Sequence, residues 1–152
     1  MRTITPQELN AKFPKLIPGT FIPASRATPR YNCVAFAARD DRHWWQGERN
    51  GGRFYWPPNL ARATTVNTVT QIFTARGFQL TGNQNVEPQY EKVAIYVSLE
   101  DLEFSHIAWS DGLVWKSKLG SGQDIDHYAL DVLEGDQVDE YGIVDRVLRK
   151  PI

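Results

Sequence analysis

The chain of 152 residues has the length of one domain, and its 41% hydrophobic and 23% charged residues are typical of globular proteins. Seventeen basic and eighteen acidic residues give a net charge of −1, so the basic surplus that favours nucleic-acid binding is absent. One cysteine excludes an intrachain disulfide, and no apolar run reaches the ~18 residues of a membrane span. We therefore expect a single domain over residues 1–152 that binds neither nucleic acid nor membrane.

Residues 1–30 contain five of the nine prolines, which disfavours long helices and central strands there. This part is predicted to be an extended arm laid over a core of residues 31–152. A short helix is expected after Thr5, with Thr5 as the N-cap and Glu8 completing a capping box. The first fifteen residues lack the apolar stretch of a signal peptide. This favours a cytoplasmic location, or export by a route that reads no such signal.

The next residues predict two helices separated by an aromatic loop. Residues 32–39 read as a helix with Asn32 as N-cap and Cys33 in the first turn. Residues 40–60 combine tryptophans and other aromatic residues with glycines and prolines, which is typical of a loop. Residues 65–76 carry apolar residues at helical spacing, and Gly77 follows as a C-terminal cap.

The second half changes to the pattern of strands. Residues 92–98, 106–110 and 113–118 are rich in β-forming residues, and Asp111 and Gly112 predict a two-residue hairpin turn. Residues 124–133 predict a short helix with Asp124 as its N-cap, and residues 142–149 a last strand. The order of elements indicates an α+β fold in which N-terminal helices pack on an antiparallel sheet.

Cys33 is a candidate nucleophile because the partial positive charge of a helix N-terminus stabilises a thiolate. A catalytic cysteine also needs a base from elsewhere in the chain. His106 opens a strand that leads into the hairpin, which is a position from which an imidazole can reach a helix start. His43 in the aromatic loop is an alternative base. The competing interpretation of Cys33 is a buried structural thiol.

Three segments resemble parts of the NlpC-type cell-wall hydrolases, which belong to the papain-like superfamily. Residues 31–36 are similar to the nucleophile motif, residues 91–97 to the strand before the base, and residues 105–115 to the hairpin that carries the base. The resemblance implies a papain-like fold with Cys33 as nucleophile and His106 as base. The chain also resembles a family of small, uncharacterised bacterial proteins that share Tyr-Asn-Cys, Trp-Pro, Ser-Lys-Leu-Gly and Asp-Ile-x-His elements.

The resemblance also implies a third residue that orients the imidazole, on the strand after the hairpin. It would fall near Lys116 or Ser117, and only the Ser117 hydroxyl can accept a hydrogen bond from imidazole. Asp124 and His127, three residues apart on a predicted helix, are alternatives for this role.

Four residues near Cys33 are candidates for binding substrate: Asn32, Trp44, Trp45 and Trp56. The competing interpretation places the tryptophans in the core, because each buries a large area. One cysteine and three scattered histidines do not supply the ligands of a structural zinc site. No glycine-rich phosphate loop is present, so we expect neither a metal nor a cofactor.

These features favour a cysteine hydrolase or acyl-transfer enzyme that acts on an amide bond of a peptide or protein, such as a peptidase, amidase or deamidase. A bacterial toxin or effector would fit such a domain. The alternative is a non-catalytic binding or immunity module with a papain-like fold, whose partner is a cognate immunity protein or a target. Nucleic-acid binding would become a candidate function only if the arginines at positions 26, 30, 39 and 42 clustered on one face.

Overall fold

The computed structural model describes residues 5–17, 19–48, 54–136 and 140–152. Its helices are α1 (Pro6–Lys12), α2 (Cys33–Ala37), α3 (Val66–Thr74) and a 3-10 helix (Leu130–Leu133). The side-chain oxygens of Thr5, Asn32 and Thr65 each accept a hydrogen bond from a backbone N–H in the first turn of an α-helix. The three predicted N-terminal helices are thus confirmed. Within the described ranges, no helix is long and apolar enough to cross a membrane.

The strands form a seven-stranded sheet in which all neighbouring strands run antiparallel, in the order β1-β6-β5-β4-β3-β7-β2. Their bounds are β1 Phe21–Pro23, β2 Gln79–Thr81, β3 Tyr90–Val97, β4 Phe104–Ser110, β5 Trp115–Lys118, β6 Asp124–His127 and β7 Ile143–Pro151. The strands predicted at 92–98, 106–110, 113–118 and 142–149 correspond to β3, β4, β5 and β7. Helices on an antiparallel sheet confirm the α+β class.

The sheet has a hydrophobic core on each of its two faces. On one, here called the α2–α3 face, both helices pack on alternate residues of the central strands: Val93, Ile95, Ile107, Trp109 and Leu148. On the other, here called the α1 face, α1 and the 3-10 helix pack on the intervening residues: Ala94, Tyr96, Ala108, Trp115 and Val147. Successive strand side chains point to opposite faces, so the position of any strand residue in this alternation decides which core it joins.

The predicted arm is more ordered than its prolines indicate. Beyond α1 it contributes β1, which pairs with β6 at the sheet edge with Phe21 opposite His127. Proline is tolerated in an edge strand because one side of the backbone there faces no partner. After β1, Ala24 continues the pairing by donating its backbone N–H to the carbonyl of Asp124, and the arm then reaches the α2–α3 face, where the carbonyl of Thr28 accepts from Lys118.

The prediction of a helix over residues 124–133 was wrong. Its first half is β6, in which Ile125 and His127 are buried and Asp124 and Asp126 half-buried. This period of two is that of a strand, so Asp124 does not cap a helix. Only Leu130–Leu133 is helical, as a 3-10 turn.

The structure differs from the sequence prediction in two further places, the turn after β4 and strand β2. The turn between β4 and β5 spans residues 111–114, because Ser110 pairs with Trp115. Asp111 Oδ1 accepts the N–H groups of Leu113 and Val114 there, and Gly112 has a φ of 101°. Strand β2 was not predicted, since its three residues are largely exposed and carry little pattern.

Candidate functional site

Cys33 begins α2 and lies against the sheet on the α2–α3 face. It is only 9% exposed. Burial raises the pKa of its thiol to about 11, although hydrogen bonding to the backbone of Ile107 and the charge of Lys118 oppose the rise. The N-terminus of α2 therefore does not produce an activated thiolate, because burial outweighs its effect.

The helix cap Asn32 has a structural role where contact with substrate was predicted. Its Oδ1 accepts hydrogen bonds from the N–H groups of Ala35 and Trp45, both at 3.2 Å. Its Nδ2 donates to the carbonyl oxygen of Trp45 at 2.7 Å. Asn32 thus joins α2 to the aromatic loop, and both its amide oxygen and its amide nitrogen are engaged within the protein.

His106 lies on the α1 face, on the other side of the sheet from Cys33. It pairs in register with Tyr96, and the two rings lie 5.3 Å apart. The ring of Tyr141 stacks on His106 with 4.1 Å between centroids and an interplanar angle of 4°. Ile107, which follows His106 on β4, faces α2. The predicted pairing of Cys33 with His106 is therefore corrected, because strand alternation sends the two side chains to opposite faces.

The other predicted catalytic residues do meet. His106 Nε2 lies 2.9 Å from Ser117 Oγ, and Ser117 Oγ lies 2.8 Å from His127 Nε2. His127 Nδ1 lies 2.9 Å from the carbonyl oxygen of Ala129. The predicted contact between Ser117 and His106 is thus present, but it belongs to a buried hydrogen-bond chain that contains both histidines.

The direction of each hydrogen bond in this chain follows from its end. A carbonyl only accepts, so His127 Nδ1 donates to Ala129. The Nε2 of neutral His127 then accepts from the Ser117 hydroxyl, whose oxygen accepts from His106 Nε2–H. Burial lowers the pKa of His127 to about 4 and holds the pKa of His106 well below its usual value. Both rings are therefore neutral near pH 7, and the chain is fully satisfied.

Lys118 is the charged side chain that faces Cys33. It is buried, and its Nζ donates to the carbonyl oxygens of Thr28 at 2.8 Å and Gly120 at 2.6 Å. The ring of Tyr31 lies 4.9 Å from Nζ. Burial lowers the pKa of Lys118 to about 8. The arm, through Thr28, therefore covers this side of the sheet.

Two of the alternatives for the third catalytic residue, Lys116 and Asp124, lie on this same face. Lys116 binds Asp126 across the β5–β6 pair at 3.0 Å. Asp124 Oδ1 is buried and has no hydrogen-bond partner among the described residues, and burial raises the pKa of this carboxyl group. Neither Lys116 nor Asp124 contributes to the hydrogen-bond chain around His106. In the described ranges, no group of three or more His, Cys, Asp or Glu side chains is arranged to hold a metal ion.

Two of the three candidate tryptophans belong to the core. Trp45 and Trp56 are each 4% exposed. Their indole N–H groups donate to Asp40 Oδ2 and to the carbonyl oxygen of Ala61, both at 2.8 Å. Trp44 is half-buried beside them. Trp45 and Trp56 therefore hold the loop against α2 and α3 in place of the predicted substrate contacts.

A cavity of about 380 Å³ opens between the loop before β3 and the segment around the 3-10 helix. Gln84, Asn85 and Val86 line one side, and residues 128–131 with Glu134 line the other. The side chain of Trp115, which is buried, also lines it. A volume of this size suits a small ligand or one large side chain.

Buried groups hold both walls of this cavity in place. On one side the ammonium of Lys92, itself buried, donates to the carbonyl oxygens of Asn83 at 2.9 Å and Asn85 at 2.6 Å. On the other, the Tyr96 hydroxyl donates to the carbonyl oxygen of Leu130 at 2.7 Å. The chain from His106 also ends in this wall, at Ala129. The cavity is therefore preorganised by hydrogen bonds from the sheet.

Comparison with protein-family models gives one match, over residues 23–149, to a model described as a domain of unknown function, DUF7689. The chain belongs to the DUF7689 family. Comparison with curated proteins found no match, and comparison with solved structures found none either. The match includes α2, α3, the cavity of this DUF7689 domain and the sheet, except the first two residues of β1 and the last two of β7.

Sequence reasoning missed two features of the DUF7689 domain. Lys118 follows Ser117 on the same strand, so alternation alone places one of the two on the face of Cys33. That signal was available in the Ser-Lys-Leu-Gly element. The cavity had no comparable signal, because its walls come from segments about forty residues apart.

Proposed function

We propose that this DUF7689 domain is a non-catalytic binding module with a papain-like architecture. The architecture is supported by a helix that begins at Cys33 and packs on β4 and β5 of an antiparallel sheet. One observation carries the proposed function. The hydrogen-bond chain from His106 through Ser117 and His127 ends at the carbonyl of Ala129, in the wall of the cavity, and not at the thiol.

The properties of the thiol support binding over catalysis. A nucleophilic cysteine reacts as its thiolate, which a neighbouring imidazolium normally stabilises. His106 and His127 lie on the other face of the sheet, and His43 is exposed with its Nδ1 2.9 Å from Asp40. Burial raises the pKa of Cys33 to about 11. Its thiolate is therefore scarce at neutral pH, and its side chain fills space between α2 and the sheet.

The cavity supports binding because its walls are already fixed. Ligand affinity is lost when a site must be ordered on binding, so a rigid and solvent-accessible cavity is favourable. Lys92 fixes one wall, and His127 together with Tyr96 fixes the other. In this proposal the buried histidines act as positioning residues for the wall formed by residues 128–131.

Cysteine hydrolase chemistry remains the second candidate, and the observation that favours it is the charge of Lys118 acting on Cys33. Lys118 would then replace His106 as the proton acceptor. The thiol has a pKa of about 11 and the ammonium of about 8. Moving the proton from sulfur to nitrogen is therefore unfavourable by roughly 4 kcal/mol. This cost, together with the cover formed by Thr28, makes the binding module the better supported function.

The rate of Cys33 alkylation by iodoacetamide, measured from about pH 6 to pH 10, tests the proposal. Because this is the protein's one cysteine, the same protein unfolded in urea provides a matched reference thiol. We expect the folded protein to react on the order of 100-fold more slowly than the unfolded protein below pH 9, since its pKa is about 11 against 9.0 for an ordinary thiol.

Two variants complete the experiment. His106→Asn and Lys118→Met are each expected to leave the folded protein slow to react. Rapid alkylation of the folded wild type below neutral pH, abolished by either substitution, would overturn the binding module in favour of the hydrolase. Cys33→Ser reports any reaction at other side chains.

A further inference from the structure

The cavity beside the 3-10 helix has a lining with a distinct chemical character. Two carboxylates, Asp131 and Glu134, lie on one side, and the lining formed by the described residues contains no lysine, arginine or histidine. Tyr128, whose side chain is 58% exposed, stands at this side too. The amides of Gln84 and Asn85 face them across the cavity. The lining therefore combines negative charge, an aromatic ring and neutral hydrogen-bonding groups.

The negative charge acts on the interior of the cavity wall. The pKa of Tyr96 is raised well above its usual value, first by burial and then by the charges of Glu134 and Asp131. Glu134 is held in place because one of its oxygens accepts the backbone N–H of Val144 at 2.9 Å. The Asp131 carboxylate has no ion pair or hydrogen bond with another described residue. A cation is therefore the complement that the cavity lacks.

We propose that this cavity binds the guanidinium or ammonium group of a basic side chain presented by a peptide partner. The inference rests on the proposed binding function and names its ligand class. The cation would lie between the carboxylates of Asp131 and Glu134, with its stem against Tyr128. Cation–π attraction and charge–charge attraction would then act together. The amides of Gln84 and Asn85 would accept hydrogen bonds from the N–H groups, or donate them to the carbonyl oxygens, of the peptide backbone next to that side chain.

Peptide, and not a free metal ion or an anion, is the occupant that this geometry favours. The cavity has a volume of about 380 Å³, which is far more than a bare ion needs and enough for one long side chain. A divalent ion prefers several oxygens around one point, whereas the two carboxylates share their cavity with an aromatic ring and amides. An anion would meet two negative charges, while the Lys92 ammonium behind the opposite wall already binds Glu87 and two carbonyl oxygens.

Binding of three capped tripeptides, measured by titration calorimetry at low salt, tests the inference. The probes are Ac-Gly-Arg-Gly-amide, the same peptide with lysine, and the same peptide with citrulline, which keeps the shape of arginine but carries no charge. Spermidine serves as a cation without a peptide backbone. We expect the arginine peptide to bind at least about tenfold more tightly than the citrulline peptide and than spermidine.

Three variants locate the binding on the protein. Asp131→Asn is expected to weaken binding of the arginine peptide by about fivefold. Asp131→Asn combined with Glu134→Gln is expected to weaken it by more than about tenfold. Glutamine at position 134 can still accept the N–H of Val144, so the wall is preserved. Asp41→Asn, which removes one negative charge from an exposed loop after α2, is the matched control and is expected to bind as the wild type does.

Several outcomes would overturn the inference. They are equal affinity for the arginine and citrulline peptides, tighter binding of spermidine than of the arginine peptide, absence of any binding at millimolar peptide, and unchanged binding by the double variant. The thiol measurement is independent of all of these. A slow thiol with no peptide binding would reject the ligand class and leave the binding module intact, whereas a fast thiol would reject the module itself.

Discussion

The buried histidines make the domain lose stability when the pH becomes mildly acidic. His127 is fully buried, and its pKa falls from 6.5 in an exposed histidine to about 4 in the folded protein. Between these values the unfolded chain holds a proton that the folded chain does not. Unfolding therefore takes up a proton, and acid favours the unfolded state. The stabilisation is fully present above about pH 6.5 and is lost as the pH falls towards 4.

The size of the effect follows from the two pKa values. A difference between 6.5 and about 4 corresponds to roughly 3 kcal/mol of unfolding free energy, lost over that window. The pKa of His106 is lowered as well, so the wild type is expected to lose at least this amount. For a domain whose total stability is about 5–15 kcal/mol, such a loss is readily measured.

Urea unfolding followed by tryptophan fluorescence, repeated from pH 7 down to about pH 4, measures this loss. His127→Asn keeps a donor for the carbonyl of Ala129 but has no group that protonates in this window. Between pH 7 and pH 4 we expect the unfolding free energy of this variant to fall by roughly 3 kcal/mol less than that of the wild type. His43→Asn, at an exposed histidine, is the control and should follow the wild type. Parallel curves for the wild type and His127→Asn would refute the reasoning.

Three further predictions concern other buried or strained groups. Lys92→Met is expected to lower the unfolding free energy by about 3 kcal/mol in urea titrations, because two carbonyl oxygens and a carboxylate lose their ammonium partner; an unchanged midpoint would contradict this. Gly112→Ala should cost about 1–3 kcal/mol, since its φ is 101° and a Cβ would come within 3.1 Å of two backbone oxygens. The control Gly82→Ala has open space around it and should change the melting temperature little. Trp56→Phe should cost about 1–3 kcal/mol because the carbonyl of Ala61 loses its donor, and a melting temperature equal to that of the wild type would count against it.

Helix positions were predictable because their signals are local. The caps expected at Thr5 and Asn32 are each followed at once by a helix, and their side chains make the expected hydrogen bonds. Thr65, predicted as the first helical residue, caps the third helix in the same way. The prediction for residues 124–133 failed because a segment of ten residues can fit both the helical period and the two-residue period of a strand. Asp124 suits a helix cap, but the alternation through His127 is that of a strand, and pairing with β5 decided between them.

The candidate site was predictable in its members and not in its geometry. The contact between Ser117 and His106 follows from neighbouring antiparallel strands. The face on which it forms depends on a register of one residue, because a shift by one moves every side chain to the other side. Ile107 and Trp109 occupy the α2–α3 face. The register observed in the sheet shows that Ile107 faces α2 and that His106 therefore points away from Cys33.

The strand order of the sheet also constrains how the chain can assemble. Strand β7 lies between β3 and β2, so β2 has no partner strand until residues 143–151 have been synthesised. Leu148 of β7 is also part of the core beneath α3, which stays incomplete for the same time. Contacts between residues so distant in sequence slow folding, because a long loop must close before they form. On the ribosome, β2 must therefore wait for β7, and insertion of β7 between β3 and β2 is the step that converts a partial sheet into the finished domain.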